Sequence, residues 1–145
     1  MQCCTFEIGT HHFGLDVLHV QEVLRAQPIT PVPLAAPTIA GLLNLRGQII
    51  TVLDLRTLFG LEGTTDYDAA LNVIMPSAEG TVSLTADAIG DVLHVDEDEL
   101  EPLPANTPPE LRPLLAGVRV HEGTLYLVLD AQKALAHVLE AVTSA

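Results

Sequence analysis

The stretch Gly41-Leu42-Leu43-Asn44-Leu45-Arg46-Gly47-Gln48-Ile49-Ile50-Thr51-Val52-Leu53-Asp54-Leu55-Arg56 decides the fold of this chain. Asn44 to Gly47 reads as a hairpin corner, because Gly47 can take a positive φ at little cost and apolar strands run in and out of it. Gln48 to Leu55 is almost continuously apolar, which predicts a central strand covered on both faces. Arg46 then projects from the corner. The chain has only 6 Lys and Arg against 19 Asp and Glu, so a cation held at a corner calls for a carboxylate partner or a binding role. The plainer alternative is a rim arginine in a weak surface pair.

Outward from this corner, short runs of Val, Ile, Leu and Thr punctuated by Gly and Pro predict an all-β fold. The expected strands are Cys4–Ile8, Gly14–Val17, Val20–Arg25, Gly41–Leu45, Gln48–Asp54, Leu71–Met75, Thr81–Ala86, Ile89–His94, Ala116–His121 and Thr124–Asp130. Alternation in Thr81-Val82-Ser83-Leu84-Thr85-Ala86 suggests a half-buried strand. One helical turn is expected at Thr57–Gly60 and another at Leu111–Leu115. A C-terminal helix is expected over Ala131–Val142, with Asp130 as its N-cap and Ala134, Leu135, Val138, Leu139 and Val142 at helical spacing.

The corner also has a counterpart. Gly41–Asp54 aligns without a gap on Gly117–Asp130, with five of fourteen positions identical. Upstream of each lies a proline-rich segment, Pro28–Pro37 and Pro102–Pro113. Proline cannot donate to a ladder, so both segments read as connections along a sheet edge. The repeat predicts two joined β units, since one alone is too small to bury an adequate core. The expected division is a single domain, 1–145, with subdomain 1 about 14–70 and subdomain 2 about 1–13 plus 71–145.

The formal net charge of −13 excludes nucleic acid and an anionic membrane surface as partners, because both need basic clusters. No run approaches the roughly 18 apolar residues of a membrane span. The N-terminus lacks a cationic region followed by an apolar signal core, so a cytoplasmic location is expected. Cys3 and Cys4 are adjacent and give no disulfide framework. The histidines have no zinc-ligand spacing, Asp96–Glu99 lacks a calcium-loop pattern, and no phosphate loop or nucleophile motif occurs. Neither metal nor cofactor is expected. Asp54 and Asp130 end strands in both repeats, where a cap suits them better than acid–base catalysis, although a small acidic β enzyme using either remains the reading from another class.

Asn44-Leu45-Arg46-Gly47-x-Ile49-Ile50-x-Val52-x-Asp54-Leu55-Arg56 is similar to the signature of the CheW family, the bacterial chemotaxis coupling proteins. Phe13-Gly14-Leu15-Asp16-x-x-x-Val20-Gln21-Glu22-Val23 resembles the family's segment before it. Leu84-x-x-Asp87-x-Ile89-x-Asp91-Val92-Leu93 resembles a stretch after it. The likeness runs from about Phe6 to Leu135. The chain departs from the family pattern at Ser83 and at Ala86-Asp87-Ala88, and Asn72 interrupts an otherwise apolar strand, all three expected in the second subdomain, on its receptor side.

The resemblance implies two packed SH3-like five-stranded β-barrel subdomains with a C-terminal helix and no active site. It implies a non-enzymatic adaptor that couples the cytoplasmic tip of methyl-accepting chemotaxis receptors to the regulatory domain of the histidine kinase CheA. Carried over by position, Val20, Glu22, Gly41, Asn44, Leu45, Arg46 and Gly47 fall at the kinase or receptor interface, and Leu71 and Ile89 near the receptor groove. Glu22 and Arg46 are expected to pair and orient the corner. The alternative is a divergent accessory protein of another chemosensory pathway, which binds receptor or kinase without activating it.

Overall fold

The computed structural model describes residues 1–143. Its strands are β1 (Gln2–Ile8), β2 (His11–Asp16), β3 (Glu22–Leu24), β4 (Ile39–Leu45), β5 (Gln48–Leu53), β6 (Leu71–Met75), β7 (Val82–Ala86), β8 (Ala88–His94), β9 (Leu115–His121) and β10 (Thr124–Leu129). Helix α1 is a single turn, Leu55–Leu58, and α2 spans Ala131–Thr143. Every expected strand is present, within a few residues of its expected ends.

The strands form two five-stranded sheets, ordered β8-β1-β2-β10-β9 and β3-β6-β7-β5-β4. Their topology is the same, and it exchanges parts of the repeat. Hairpin β1–β2 belongs in sequence to the first copy, yet it pairs with β8 and β10 of the second. Hairpin β6–β7 pairs with β3 and β5 of the first. The division expected from the repeat, 14–70 against 1–13 plus 71–145, therefore cuts across the sheets. Residues 71–86 hydrogen-bond into the first sheet, and β2 through Asp16 into the second. In both sheets the ladders stay open, so hydrogen bonding alone does not close the expected barrels.

The proline-rich segments lie along edges, as expected. Thr30 and Leu42 exchange backbone hydrogen bonds of 2.8 and 2.9 Å on the free side of β4, and Glu101 and Val118 exchange bonds of 2.8 and 3.0 Å on the free side of β9. Each thus covers one sheet edge and leaves its prolines off the ladder.

One apolar core is shared by the sheets. It joins Phe6, Phe13 and Leu15 to Leu53, Val73, Met75 and Leu84, with Phe59 behind α1 and Val138 from α2. A smaller cluster of Leu43, Leu45, Ile50, Val52 and Ile74 sits within the first sheet. Two burial expectations change. All of β7 is buried, because a central strand in a curved sheet has core on both faces. Ser83 and Asn72 satisfy each other there at 2.9 Å. β5, by contrast, is exposed at Gln48 and Ile49 and buried only at Ile50 and from Val52 onward.

Both aspartates at the ends of the repeat cap helices. Asp130 Oδ1 accepts from the Lys133 N–H at 3.1 Å. Asp54 is buried, and its Oδ1 accepts from the Arg56 N–H at 3.0 Å and from Thr65 Oγ1 at 2.9 Å. Its Oδ2 accepts from the Tyr67 hydroxyl at 2.6 Å, and burial together with this carboxylate pushes the phenol well above its ordinary pKa. One side chain thereby starts α1 and ties down the loop that follows. Asp54→Ala removes the cap and these charge-assisted bonds, and is expected to cost about 2–4 kcal/mol in urea unfolding. A loss below about 1 kcal/mol would be incompatible with this role.

Candidate functional site

The β4–β5 corner is a two-residue turn. Arg46 and Gly47 have φ of 51° and 84°, and Leu45 pairs with Gln48 across it. Positive φ at both central residues gives the turn whose twist matches the flanking strands. Asn44 Oδ1 accepts from the Gly47 N–H at 2.9 Å and fixes the turn from below. Glu122 and Gly123, with φ of 48° and 80°, repeat the geometry between β9 and β10.

Arg46 projects from this turn and pairs with Glu22. Its Nη2 donates to Glu22 Oε2 at 2.5 Å and its Nη1 to Oε1 at 3.3 Å, a two-pronged contact. Glu22 lies on β3, at one edge of the sheet, while the corner lies at the other. The pair therefore brings the sheet's two edges together. The arginine hydrogen bond, aided by one from Gln21 Nε2, lowers the Glu22 pKa, and the same bond raises that of Arg46.

Gly41 is buried, and it matters for a reason internal to the chain. A β-carbon there would sit 2.4 Å from the Thr30 carbonyl oxygen and 2.7 Å from Ile29, and its φ is 152°. The backbone that approaches Gly41 is the proline-rich segment itself. Gly117 is placed alike in the second sheet, 2.9 Å from the Glu101 carbonyl oxygen. The other carried-over residues do not all gather here. Leu45 is buried beneath the corner, Asn44 and Gly47 are exposed on it, and Val20 is half-buried against the shared core just before Glu22. Leu71 is half-buried at the start of β6. Ile89 lies in the other sheet, half-buried against the core near its strand partner Phe6.

Between the sheets sits a second ion pair. Arg56 Nη2 donates to Asp87 Oδ2 at 2.5 Å and Nη1 to the Glu62 carbonyl at 2.9 Å, with the side chain largely buried. Asp87 Oδ2 also accepts from the Gly9 N–H at 2.7 Å. Asp87 links β7 to β8 and Gly9 turns β1 into β2, so this joint fastens one sheet to the other. The sequence motif includes Arg56 but gave no sign of its partner. Exposed apolar side chains stand at Leu18, Val23, Ile49 and Val92. Ile49 stands beside Asn44 across the corner, and Val23 next to Glu22, so the charged pair has apolar neighbours. Among the described residues no group of His, Cys, Asp and Glu is arranged to hold a metal, and no helix is long and apolar enough to cross a membrane.

Two outcomes follow from this geometry. Gly41→Ala is expected to displace the Thr30 segment and cost about 2–3 kcal/mol in denaturant unfolding, even without any partner. An unchanged midpoint would separate Gly41 from the crossing. The lowered Glu22 pKa makes the pair's contribution fully present above the ordinary value of 4.5 and lost as pH falls through the lower folded-state value. A double-mutant cycle of Glu22→Gln and Arg46→Ala should show coupling at neutral pH and none in acid well below 4.5. Equal coupling at both would contradict the assignment.

Comparison with known proteins agrees with the geometry. The family model of the CheW-like domain matches residues 2–139. The chain is 29% identical over 141 residues to the chemotaxis protein CheW of Treponema pallidum, covering 91% of this chain and 80% of that one. It is 25% identical to CheW of Klebsiella aerogenes over 130 residues, covering 90% and 78%. The solved structure of the scaffolding protein TtCheW from Thermoanaerobacter tengcongensis superposes with a TM-score of 0.76 at 26% identity, covering 89% of this chain and 88% of that one. With its two matched sheets, its corner and its motif order intact, the chain belongs to the CheW-like domain family.

Proposed function

We propose that this chain is a chemotaxis adaptor that couples the cytoplasmic tips of methyl-accepting receptors to a CheA-type histidine kinase. It works without catalysis, in the cytoplasm, by holding two partners in one geometry, so that each local contact raises the effective concentration of the next. The carrying observation is the match to the CheW-like family model across residues 2–139, with the motif corner built as a paired Arg46–Glu22 contact. Each open sheet forms the wall of an SH3-like barrel, and in the first the Glu22–Arg46 pair spans the gap that the ladder leaves.

The kinase regulatory domain meets the first sheet around Val20, Glu22, Asn44, Arg46 and Gly47. Gly41 and Leu45 support that surface from beneath. Leu71 and Ile89 border the receptor side. Exposed Val23 and Ile49 supply apolar contact area beside the charged pair, at roughly 25 cal/mol per Å² buried. The departures at Asn72 and Ser83 lie inside the first sheet and face each other. Both are buried, so neither changes the exposed surface.

The test is binding of the purified protein to the regulatory domain of its cognate kinase, followed by kinase activation in a mixture reconstituted with receptor. Submicromolar binding is expected, with Arg46→Glu weaker by about tenfold while the thermal midpoint holds. Activation above the kinase-only rate supports an adaptor. Binding without activation supports the accessory reading instead.

A further inference from the structure

Leu34 is placed against two physical preferences at once. Its φ is 63°, a left-handed conformation that a branched apolar residue rarely takes, and its side chain is fully exposed. A leucine gains nothing from either condition in the isolated protein.

The surrounding loop is built to hold it there. Pro31, Pro33 and Pro37 fix their own φ and restrict the residues before them. Thr30 is tied to Leu42 by two backbone bonds, and the Ile39 N–H donates to the Ala36 carbonyl at 2.9 Å. Val32 is exposed beside the knob. A shallow apolar groove runs from its foot, lined by Val32, Pro33, Ile39, Leu42, Thr51 and Val142. A loop already ordered loses little entropy when a partner closes on it.

Charge says what kind of partner closes. From Ala26 to Leu45 no residue is charged, in a chain with a net charge of −13. Of the six cations, Arg46, Arg56 and Arg119 are each paired with a carboxylate, and the 19 acidic residues leave the chain as a whole strongly negative. The knob is an uncharged window in a chain of strongly acidic net charge. A second copy of this chain would bring its own −13 to the contact and be repelled.

We propose that Leu34 is the anchor of the kinase-facing surface, a preformed knob that enters an apolar pocket of a protein domain whose rim is basic. This rests on the adaptor reading above, with the kinase regulatory domain as the occupant.

The experiment measures binding of the full chain to that regulatory domain by calorimetry, with Leu34→Asn and Leu34→Gly alongside. Both replacements tolerate positive φ, so the thermal midpoint is expected to hold or rise, by up to about 2–4 °C. Binding is expected to weaken by about tenfold or more. Stability maintained with affinity lost is a combination that a merely structural leucine does not give. On-rates measured at low and high salt should fall as salt rises, because steering by a basic rim is screened.

Wild-type binding that both variants retain overturns the anchor and leaves the adaptor reading standing. Absence of wild-type binding overturns both. Loss of binding to a receptor-tip fragment, with kinase binding intact, assigns the knob to the other partner and also overturns the proposal. So does Leu34-dependent self-association in sedimentation. A salt-independent on-rate removes the basic rim.

Discussion

Everything in this molecule depends on one apolar layer that both sheets share. The chain has only 3 phenylalanines, and all of them meet there. Phe13 of β2 lies 5.4 Å from Phe6 of β1 and 5.3 Å from Phe59 behind α1, centroid to centroid. Such contacts contribute about 0.5–1.5 kcal/mol each beyond the area they bury. They set the spacing between the sheets, and the Arg56–Asp87–Gly9 joint fixes it from the rim. The corner at Arg46 points a defined way because the sheet beneath it cannot shift against its neighbour.

The charge distribution follows a similar economy. With few cations available, arginine goes where a fork-shaped donor locks geometry: at the corner, between the sheets, and from Arg119 to Glu99 on the second sheet. An exposed pair such as Arg46–Glu22 adds little to stability. The value of such pairs lies in orientation, which suits a protein whose work is to present surfaces. The carboxylate surplus leaves the chain with a net charge of −13, which sets copies of it to repel one another.

The local structure was legible in the sequence, because each element carries its own signal. β-branched runs marked strands, Gly47 and Gly123 marked two-residue turns, and Asp54 and Asp130 marked caps. The Glu22–Arg46 pair was legible from the scarcity of cations and the motif. What was not legible is long-range. Nothing local in Leu71–Met75 says that it pairs with Glu22–Leu24 rather than with the strand of its own repeat copy. Alternation in Thr81–Ala86 implied a wet face, but this central strand is buried throughout, and Ser83 there donates to Asn72 on the neighbouring strand β6. Gly41 was carried over as an interface position, and nothing local says that Thr30, eleven positions earlier and across a loop, packs against it. Leu34 gave no signal, since a positive φ at leucine follows from the proline frame and not from leucine itself.

The exchanged hairpins carry a consequence for the origin of the chain. Each repeat copy, taken alone, is an incomplete sheet that lends a hairpin and needs one in return. Two separate copies that exchanged hairpins in this way would form a swapped homodimer. The present chain has the topology of such a dimer joined end to end, with Arg46 on one corner and Glu122 on the other. The unit that repeats in the sequence and the unit that folds are therefore different. A break anywhere between Leu53 and Leu71 would yield two pieces, neither of which is a domain.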